Sequence, residues 1–384
     1  MRFWLVALWV ASSPPTPPAQ AISAEKKSPS ECRVAEGTNV GPVHRLRNGA
    51  RWLVDHTRAI PIIFYTPENH LGLGAGTFTT WTMRDAPVHR PSYLTLAGIY
   101  TTRQQAVASL RYELRGPFER LVLTQDVRYI DWPDRFFGVG NATKAGDREN
   151  FTDRYFQIET QYLLRVWRRL FLGLHQIVRQ SETRNLPESP RWLDSRRLYG
   201  VGALFWSGLG LTSIVDSRDS VFWPTRGQYL SLSTMLYDPV FGSSFRAGRV
   251  QGDFRQYQRL FRHHILVFRG VMQVVGGRVP FQLLPQLGGS DLFRGWYFGR
   301  LRDRKLLATE VESRQEIGRR WAVVGFGSLA KVGSKWEMLW HNSWHGAIGG
   351  GFRYAIKKGE RAHVRLDFAY GDGFNVYLQF REAF

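Results

Sequence analysis

Alternation with a polar inner face is the feature of this sequence that most narrows the folds open to it. Over residues 363–370, Val364, Leu366, Phe368 and Tyr370 share one face while His363, Arg365 and Asp367 share the other. Gly371-Asp372-Gly373 then signals a turn, after which Phe374, Val376, Leu378, Phe380 and Phe384 alternate with Asn375, Tyr377, Gln379 and Arg381. A period of two is that of a strand with two unlike faces. The same reading holds for Phe156, Ile158 and Thr160 against Gln157, Glu159 and Gln161, and for Leu230, Leu232 and Thr234 against Ser231 and Ser233. In a further segment Leu307, Thr309 and Val311 alternate with Ala308, Glu310 and Glu312. A soluble sandwich also alternates, but its second face enters a dry core where unpaired polar and charged groups are costly. A membrane barrel turns the apolar face to lipid and the polar face to a wet lumen. The pattern therefore favours an all-β fold, a transmembrane antiparallel β-barrel.

Composition agrees with that choice. Aromatics make up 14% of the chain and Gly numbers 38, yet mean hydropathy is only −0.30. No internal stretch approaches the roughly 18–20 apolar residues of a membrane helix, and none shows a helical period. About fifteen strand candidates lie between Leu71 and Phe384, with a further ambiguous one over residues 60–66. Single-chain bacterial barrels take even strand numbers, so sixteen strands are expected, with the register of the first four the least defined. Long connections are expected over residues 131–152, 181–195, 281–305 and 333–344, with short turns such as 357–360 between them.

Met1-Arg2, an apolar core from Phe3 to Ala11 and Ala19-Gln20-Ala21 read as a secretory signal. Cleavage is expected after Ala21, with Ala24 as the alternative. The expected organisation is a signal peptide over 1–21, a short periplasmic lead over 22–57 and a barrel over 58–384. Cys32 is the only cysteine, which rules out an internal disulfide and a cysteine-based metal site. Pro29-Ser30-Glu31 before it lacks the small apolar residues of a lipid-attachment signal. The net charge of +20 could suit nucleic acid, but the arginines (Arg165, Arg168, Arg246, Arg255, Arg353, Arg365) are scattered singly along strand-like segments. A lumen lining, or a surface facing lipopolysaccharide and other outer-membrane lipids, accounts for them better, and no nucleic-acid partner is expected.

Two segments carry more than architecture. Asp216-Ser217-Arg218-Asp219, followed by Pro224-Thr225-Arg226-Gly227, places an acid and a base two apart at a strand end, where they can pair, and ends on turn-forming residues. This arrangement resembles the strand-turn signature of the BamA/TamA superfamily, also called the bacterial surface antigen family. Gly288-Gly289, then Phe293-Arg294-Gly295-Trp296, resembles the core of that family's inward-folded extracellular loop, and Glu312-Ser313-Arg314 resembles the strand that follows. The resemblance implies that Arg294 reaches into the lumen and pairs with an acid on a neighbouring strand. Glu310 and Glu312 are the candidates, Glu312 favoured. Weaker echoes at Pro61, at residues 65–69, at Phe136-Phe137-Gly138-Val139-Gly140-Asn141, at 349–354 and at 365–367 extend the resemblance over residues 58–384. The chain's last residue, Phe384, with Phe380 before it, resembles the terminal recognition strand of outer-membrane proteins, which implies contact with the barrel-assembly machinery during biogenesis.

Two departures accompany this resemblance. The roughly 35 residues of the lead are too few for a periplasmic polypeptide-transport-associated (POTRA) domain, so a short member without such domains is expected. Gly325-Phe326-Gly327 stands where many relatives place an Asp, which removes one usual partner of Arg294. No site of catalytic chemistry is found. His341 and His345 have a helical metal spacing in a segment that reads as loop, and Ser343 beside His345 lacks an orienting acid. Gly-rich pieces at 72–76 and 349–351 precede no helix and hold no phosphate. No cofactor, no metal and no enzymatic activity are expected. The resemblance implies a barrel that helps insert, translocate or anchor proteins or lipids with a separate periplasmic partner; the alternative is a passive pore or structural barrel.

Overall fold

The computed structural model describes residues 57–379, apart from 82–91, 117–119, 195–197, 221–222, 319 and 358–359. The signal and lead expected over 1–56, and Phe380 and Phe384, lie outside the described residues. Thr57, the last position given to the lead, already begins the first strand.

The described residues form eighteen strands, sixteen of which close into one antiparallel barrel. The first half comprises β1 (Thr57–Thr66), β2 (His70–Trp81), β3 (Ser92–Thr101), β4 (Ala106–Arg115), β5 (Leu121–Phe136), β6 (Glu149–Trp167), β7 (Leu170–Arg184) and β8 (Ala203–Asp216). β9 (Gly227–Tyr237), β10 (Ala247–Phe261) and β11 (His264–Gly277) follow. Two-residue strands β12 (Gln286–Leu287) and β13 (Leu301–Arg302) pair with each other inside the next connection, and Arg302 also bridges to Gly140. β14 (Lys305–Ile317), β15 (Trp321–Gly333), β16 (His345–Lys357), β17 (Glu360–Tyr370) and β18 (Phe374–Gln379) complete the wall, and β18 meets β1.

The inside–outside assignment follows the sequence pattern. On β9, Leu230 and Leu232 are 44% and 46% exposed, whereas Ser231 and Ser233 are 2% and 7% exposed. The leucines face the membrane and the serines the lumen, as the alternation required. The longest connections, β5–β6, β7–β8 and β11–β14, all emerge at one end, so that end is extracellular and the opposite, turn end periplasmic.

Two expectations change in detail. The connection foreseen over 131–152 shortens to 137–148, because β5 and β6 stay in register up to Phe136↔Glu149, beyond the expected strand ends. Ion pairs hold this protruding hairpin, among them Arg154 with Asp131, and Arg179 with Asp153 at 2.6 Å. A short helix, Trp336–His341, also stands in the 333–344 connection. Six residues are too few to show a period that can be told from loop.

Aromatic residues fill the loop end of the lumen. Phe136, Phe151 and Phe281 meet edge to face at 5.4–6.5 Å, beside Trp206 and Phe245. Such contacts add directional packing to the large area these rings bury.

Candidate functional site

The connection from β11 to β14 turns back into the lumen instead of spreading over the surface. Its stem is the β12–β13 hairpin, with Leu287 opposite Leu301. Between them the chain reverses tightly. Gly288 has φ +114°, and a Cβ there would lie 1.9 Å from the Tyr297 carbonyl oxygen, so the close approach requires glycine. Leu287, Phe293, Trp296 and Leu301 pack against Ala308, Ala330, Val332 and Ala347 of the wall. Small wall residues leave room for large loop residues, which fixes the loop face that meets β14–β16.

At the tip, Arg294 is fully buried and surrounded by acids. Its guanidinium donates to Asp367 at 2.8 Å, to Glu312 at 2.6 Å and to Glu310. The Phe326 ring centroid lies 3.4 Å from its Cζ. Arg314 donates to Glu312 at 2.7 Å, and Arg353 to Asp367. Arg365 lies 3.9 Å from Asp367 and 3.8 Å from Asp291, so Arg294, Arg314, Arg353 and Arg365 balance Glu310, Glu312, Asp367 and Asp291, four charges against four. A buried cluster persists only when such a balance accompanies good hydrogen bonding. Ser328 completes one corner by donating to Glu310 at 2.8 Å.

The sequence pointed to Glu310 and Glu312, and the structure brings both to Arg294. It adds Asp367 on β17, Arg353 on β16 and the ring face of Phe326, none of which was named as a partner. Phe326 lies in the segment where a carboxylate had been missed. Asp367 supplies the third acid, and the quadrupole of the ring favours a cation over its face.

The loop also fastens to both flanks of the β1–β18 seam. On the β18 side, the Gly295 N–H donates to Tyr377 Oη at 3.0 Å, and the Gly295 carbonyl accepts from the Asp372 N–H at 3.0 Å and Asn375 Nδ2 at 2.8 Å. Gly295 has φ +100°, and its absent Cβ would sit 3.0 Å from the Tyr370 carbonyl carbon. Gln379 donates to Ser290 Oγ at 3.1 Å, and Arg300 pairs with Asp372. On the β1 side, the Phe298 N–H donates to Glu68 in the β1–β2 turn at 2.9 Å, while Tyr297 reaches further round the wall and donates to Asp134 of β5 at 3.1 Å. Burial pushes the Glu68 carboxyl up to about 7, although hydrogen bonds from Thr66 and the Phe298 backbone oppose the rise.

Of the seams between described strand residues, this one has the fewest registered pairs. Among the described residues β1 and β18 register only at Tyr65↔Leu378, whereas β1 and β2 register over ten positions.

The strand-turn residues lie at the opposite, periplasmic end. Arg218 donates to both oxygens of Asp216, at 2.9 and 2.8 Å, and its Cζ lies 4.7 Å from the Tyr229 ring centroid. Asp219 accepts from the Thr225 N–H at 2.8 Å and the Thr225 hydroxyl at 2.6 Å, closing the turn over buried Pro224. Gly227 then opens β9. The two motifs are therefore separate: one braces a turn, the other seats a loop.

Between the loop and the β5–β11 wall remains a cavity of about 400 Å³, lined in part by Arg128, Asp153, Glu159, His175, Arg179 and Asp253. Most of these charges are paired with one another, as in His175–Glu159 at 2.8 Å. Among the described residues no group of three His, Cys, Asp or Glu is placed to hold a metal ion.

Comparison with known proteins places this geometry. The Omp85 superfamily domain matches residues 170–338, which include both motifs. Among solved structures, BamA from Haemophilus ducreyi lacking POTRA domains 1–3 is similar with a TM-score of 0.61 and 14% identity, over 85% of this chain and 70% of that one. CdiB from Escherichia coli is similar with a TM-score of 0.57 and 11% identity, over 84% of this chain and 62% of that one. CdiB from Acinetobacter baumannii gives 0.52 and 10%, over 84% and 58%. The chain thus spans less than two thirds of either CdiB chain. No curated protein matches the sequence.

Proposed function

On the premise that this chain is an outer-membrane barrel carrying an Omp85 superfamily domain, we propose that it assists insertion or translocation of proteins or lipids at the outer membrane, together with a separate periplasmic partner. The observation that supports this reading is the seam. A barrel whose wall is paired all round admits only what its lumen passes, and here a folded loop occupies the lumen. Opening a wall sideways means giving up ladder hydrogen bonds, each worth about 1 kcal/mol net. The β1–β18 junction, registered at one described position, demands fewest. It is therefore the place where a client strand or lipid could enter from the side. The proposal involves no catalytic step.

Tyr65→Cys with Leu378→Cys tests it, since directly opposed residues of an antiparallel pair lie within disulfide reach. The cross-link should block accumulation of client proteins or lipids in the outer membrane and be relieved by reductant, while conductance in planar bilayers stays unchanged. If the locked barrel supports the same outer-membrane composition as the reduced one, the chain is a passive pore or structural barrel. Conductance that rises when residues 281–305 are shortened would then mark the loop as a plain plug.

A further inference from the structure

We propose that the periplasmic rim of the barrel is a binding surface for anionic phospholipid headgroups of the inner leaflet. Exposed arginines crowd this end: Arg120 before β5, Arg168 and Arg169 between β6 and β7, Arg226 before β9, Arg262 between β10 and β11, and Arg320 before β15. None of the six forms an ion pair among the described residues. The described acids of the same end are already engaged. Asp216 holds Arg218, Asp219 closes its own turn, and Glu316 takes Arg259 at 3.2 Å and Trp223 Nε1 at 3.1 Å. At the loop end, exposed Lys144, Arg148, Arg278 and Lys335 also lack an ion pair among the described residues, but exposed Glu188 and Glu337 stand among them and other charges pair with each other, as in Arg184–Glu182, Arg191–Asp147 and Arg246–Asp238. Among the described residues the turn end thus carries exposed arginines with no exposed acid left to balance them, Asp219 being held in its own turn.

Neighbouring side chains identify the occupant. Trp167 precedes Arg168 and is 71% exposed, Phe261 precedes Arg262 at 71%, and Trp321 follows Arg320 at 54%. Aromatic residues at the ends of membrane strands sit at headgroup level. An arginine next to such a ring reaches phosphate, and its planar fork matches phosphate oxygens. The arginines also occupy five turns spread around the rim. That distribution suits an annulus of lipid better than the compact patch that an acidic protein would need.

The test uses the full chain reconstituted in phosphatidylcholine bilayers with trace spin-labelled phosphatidylglycerol or phosphatidylcholine, the boundary fraction of each being read by electron spin resonance. Wild-type protein should associate with phosphatidylglycerol about fivefold more strongly, and the preference should shrink as added salt screens the charges. Arg168→Gln/Arg169→Gln/Arg262→Gln/Arg320→Gln, shown to be folded by heat-modifiable migration, should lose most of it. Arg184→Gln/Arg191→Gln/Arg246→Gln at the loop end should keep it. A folded wild type without preference, as expected if the rim instead serves an acidic protein, overturns the proposal. So does a rim variant that keeps the preference or a loop-end variant that loses it. Because the readout is lipid association, a negative result leaves the proposed transport role untouched, and failure of the seam cross-link leaves this proposal untouched.

Discussion

Replacing Arg294 with alanine should release the loop from the lumen. Its three acceptors, Glu310, Glu312 and Asp367, are each at most 3% exposed. Without Arg294 these three acids and Asp291 face three remaining guanidiniums, Arg314, Arg353 and Arg365, and one negative charge is left uncompensated in a desolvated site. Stranding a buried partner in this way typically costs about 3–5 kcal/mol. Since about 1.4 kcal/mol is a tenfold change in an equilibrium, the low end of that range multiplies the released population more than a hundredfold. Hydrogen exchange of the amides of residues 288–300 in detergent or nanodiscs reads this directly, and limited proteolysis of the loop provides a second measure.

Lysine at position 294 should restore little, because one ammonium cannot span three carboxylates as the planar fork does. Exchanging charges with one partner, Arg294→Glu with Glu312→Arg, should recover only a minor part of the loss, since the new carboxylate would sit beside Glu310 and Asp367. Double-mutant cycles against Glu310→Gln, Glu312→Gln and Asp367→Asn should each show coupling of about 1 kcal/mol or more. Coupling below about 0.5 kcal/mol in all three would refute the lumenal network.

Three further outcomes follow from the same contacts. Glu68 is buried with its carboxyl raised from 4.5 to about 7, so its protonated form is favoured in the folded state. Loop protection beside β1 is therefore full below about pH 4.5 and is lost as pH rises through about 7. The effect amounts to at most about 3 kcal/mol, and Glu68→Gln should flatten the profile in a pH series of hydrogen exchange. Gly295→Ala should destabilise the loop by about 1–3 kcal/mol through its left-handed φ and the contact with Tyr370, measured by the same exchange; an unchanged loop would count against the backbone placement. Deleting Phe384 should lower folded, heat-modifiable barrel severalfold if the terminal strand serves as an assembly signal, and unchanged levels would remove that role.

Local periodicity exposed much of this architecture. Ser231 and Ser233 between outward leucines, and Glu310 and Glu312 between Leu307, Thr309 and Val311, reveal a wet interior without any coordinates. Contacts that depend on barrel closure were hidden. Glu310 and Glu312 follow Arg294 by 16 and 18 residues on the next barrel strand. Asp367 is 73 residues away, and only closure of the wall brings β17 to the loop. Glu68 is further still, 230 residues before Phe298, one acid in a short turn whose neighbours give no sign of so distant a partner. The upper reaches of β5 and β6 were read as loop because their residues leave the membrane, where the apolar half of the alternation is no longer required.

The loop divides adhesion and register between two kinds of contact. Leu287, Phe293, Trp296 and Leu301 supply apolar burial, roughly 1.5–3 kcal/mol for each large side chain fully removed from water. Such contacts tolerate sliding, because a wall of Ala308, Ala330, Val332 and Ala347 offers similar surface at neighbouring positions. The network around Arg294 does not, since a shift of one residue would leave three carboxylates without their guanidinium. Polar fastening also permits release. Charges that leave this site regain water, so the network specifies one position more strongly than it opposes departure. The same loop touches β18 through Tyr377 and Asn375 and the β1–β2 turn through Glu68. Loss of register at Arg294 therefore removes, in one movement, the internal contacts that span the seam with the fewest described pairs. Arg294→Ala in the Tyr65→Cys/Leu378→Cys background should form the disulfide more slowly than the cysteine pair alone, because the flanks are then held together less of the time. Equal rates would mean that the loop does not brace the seam.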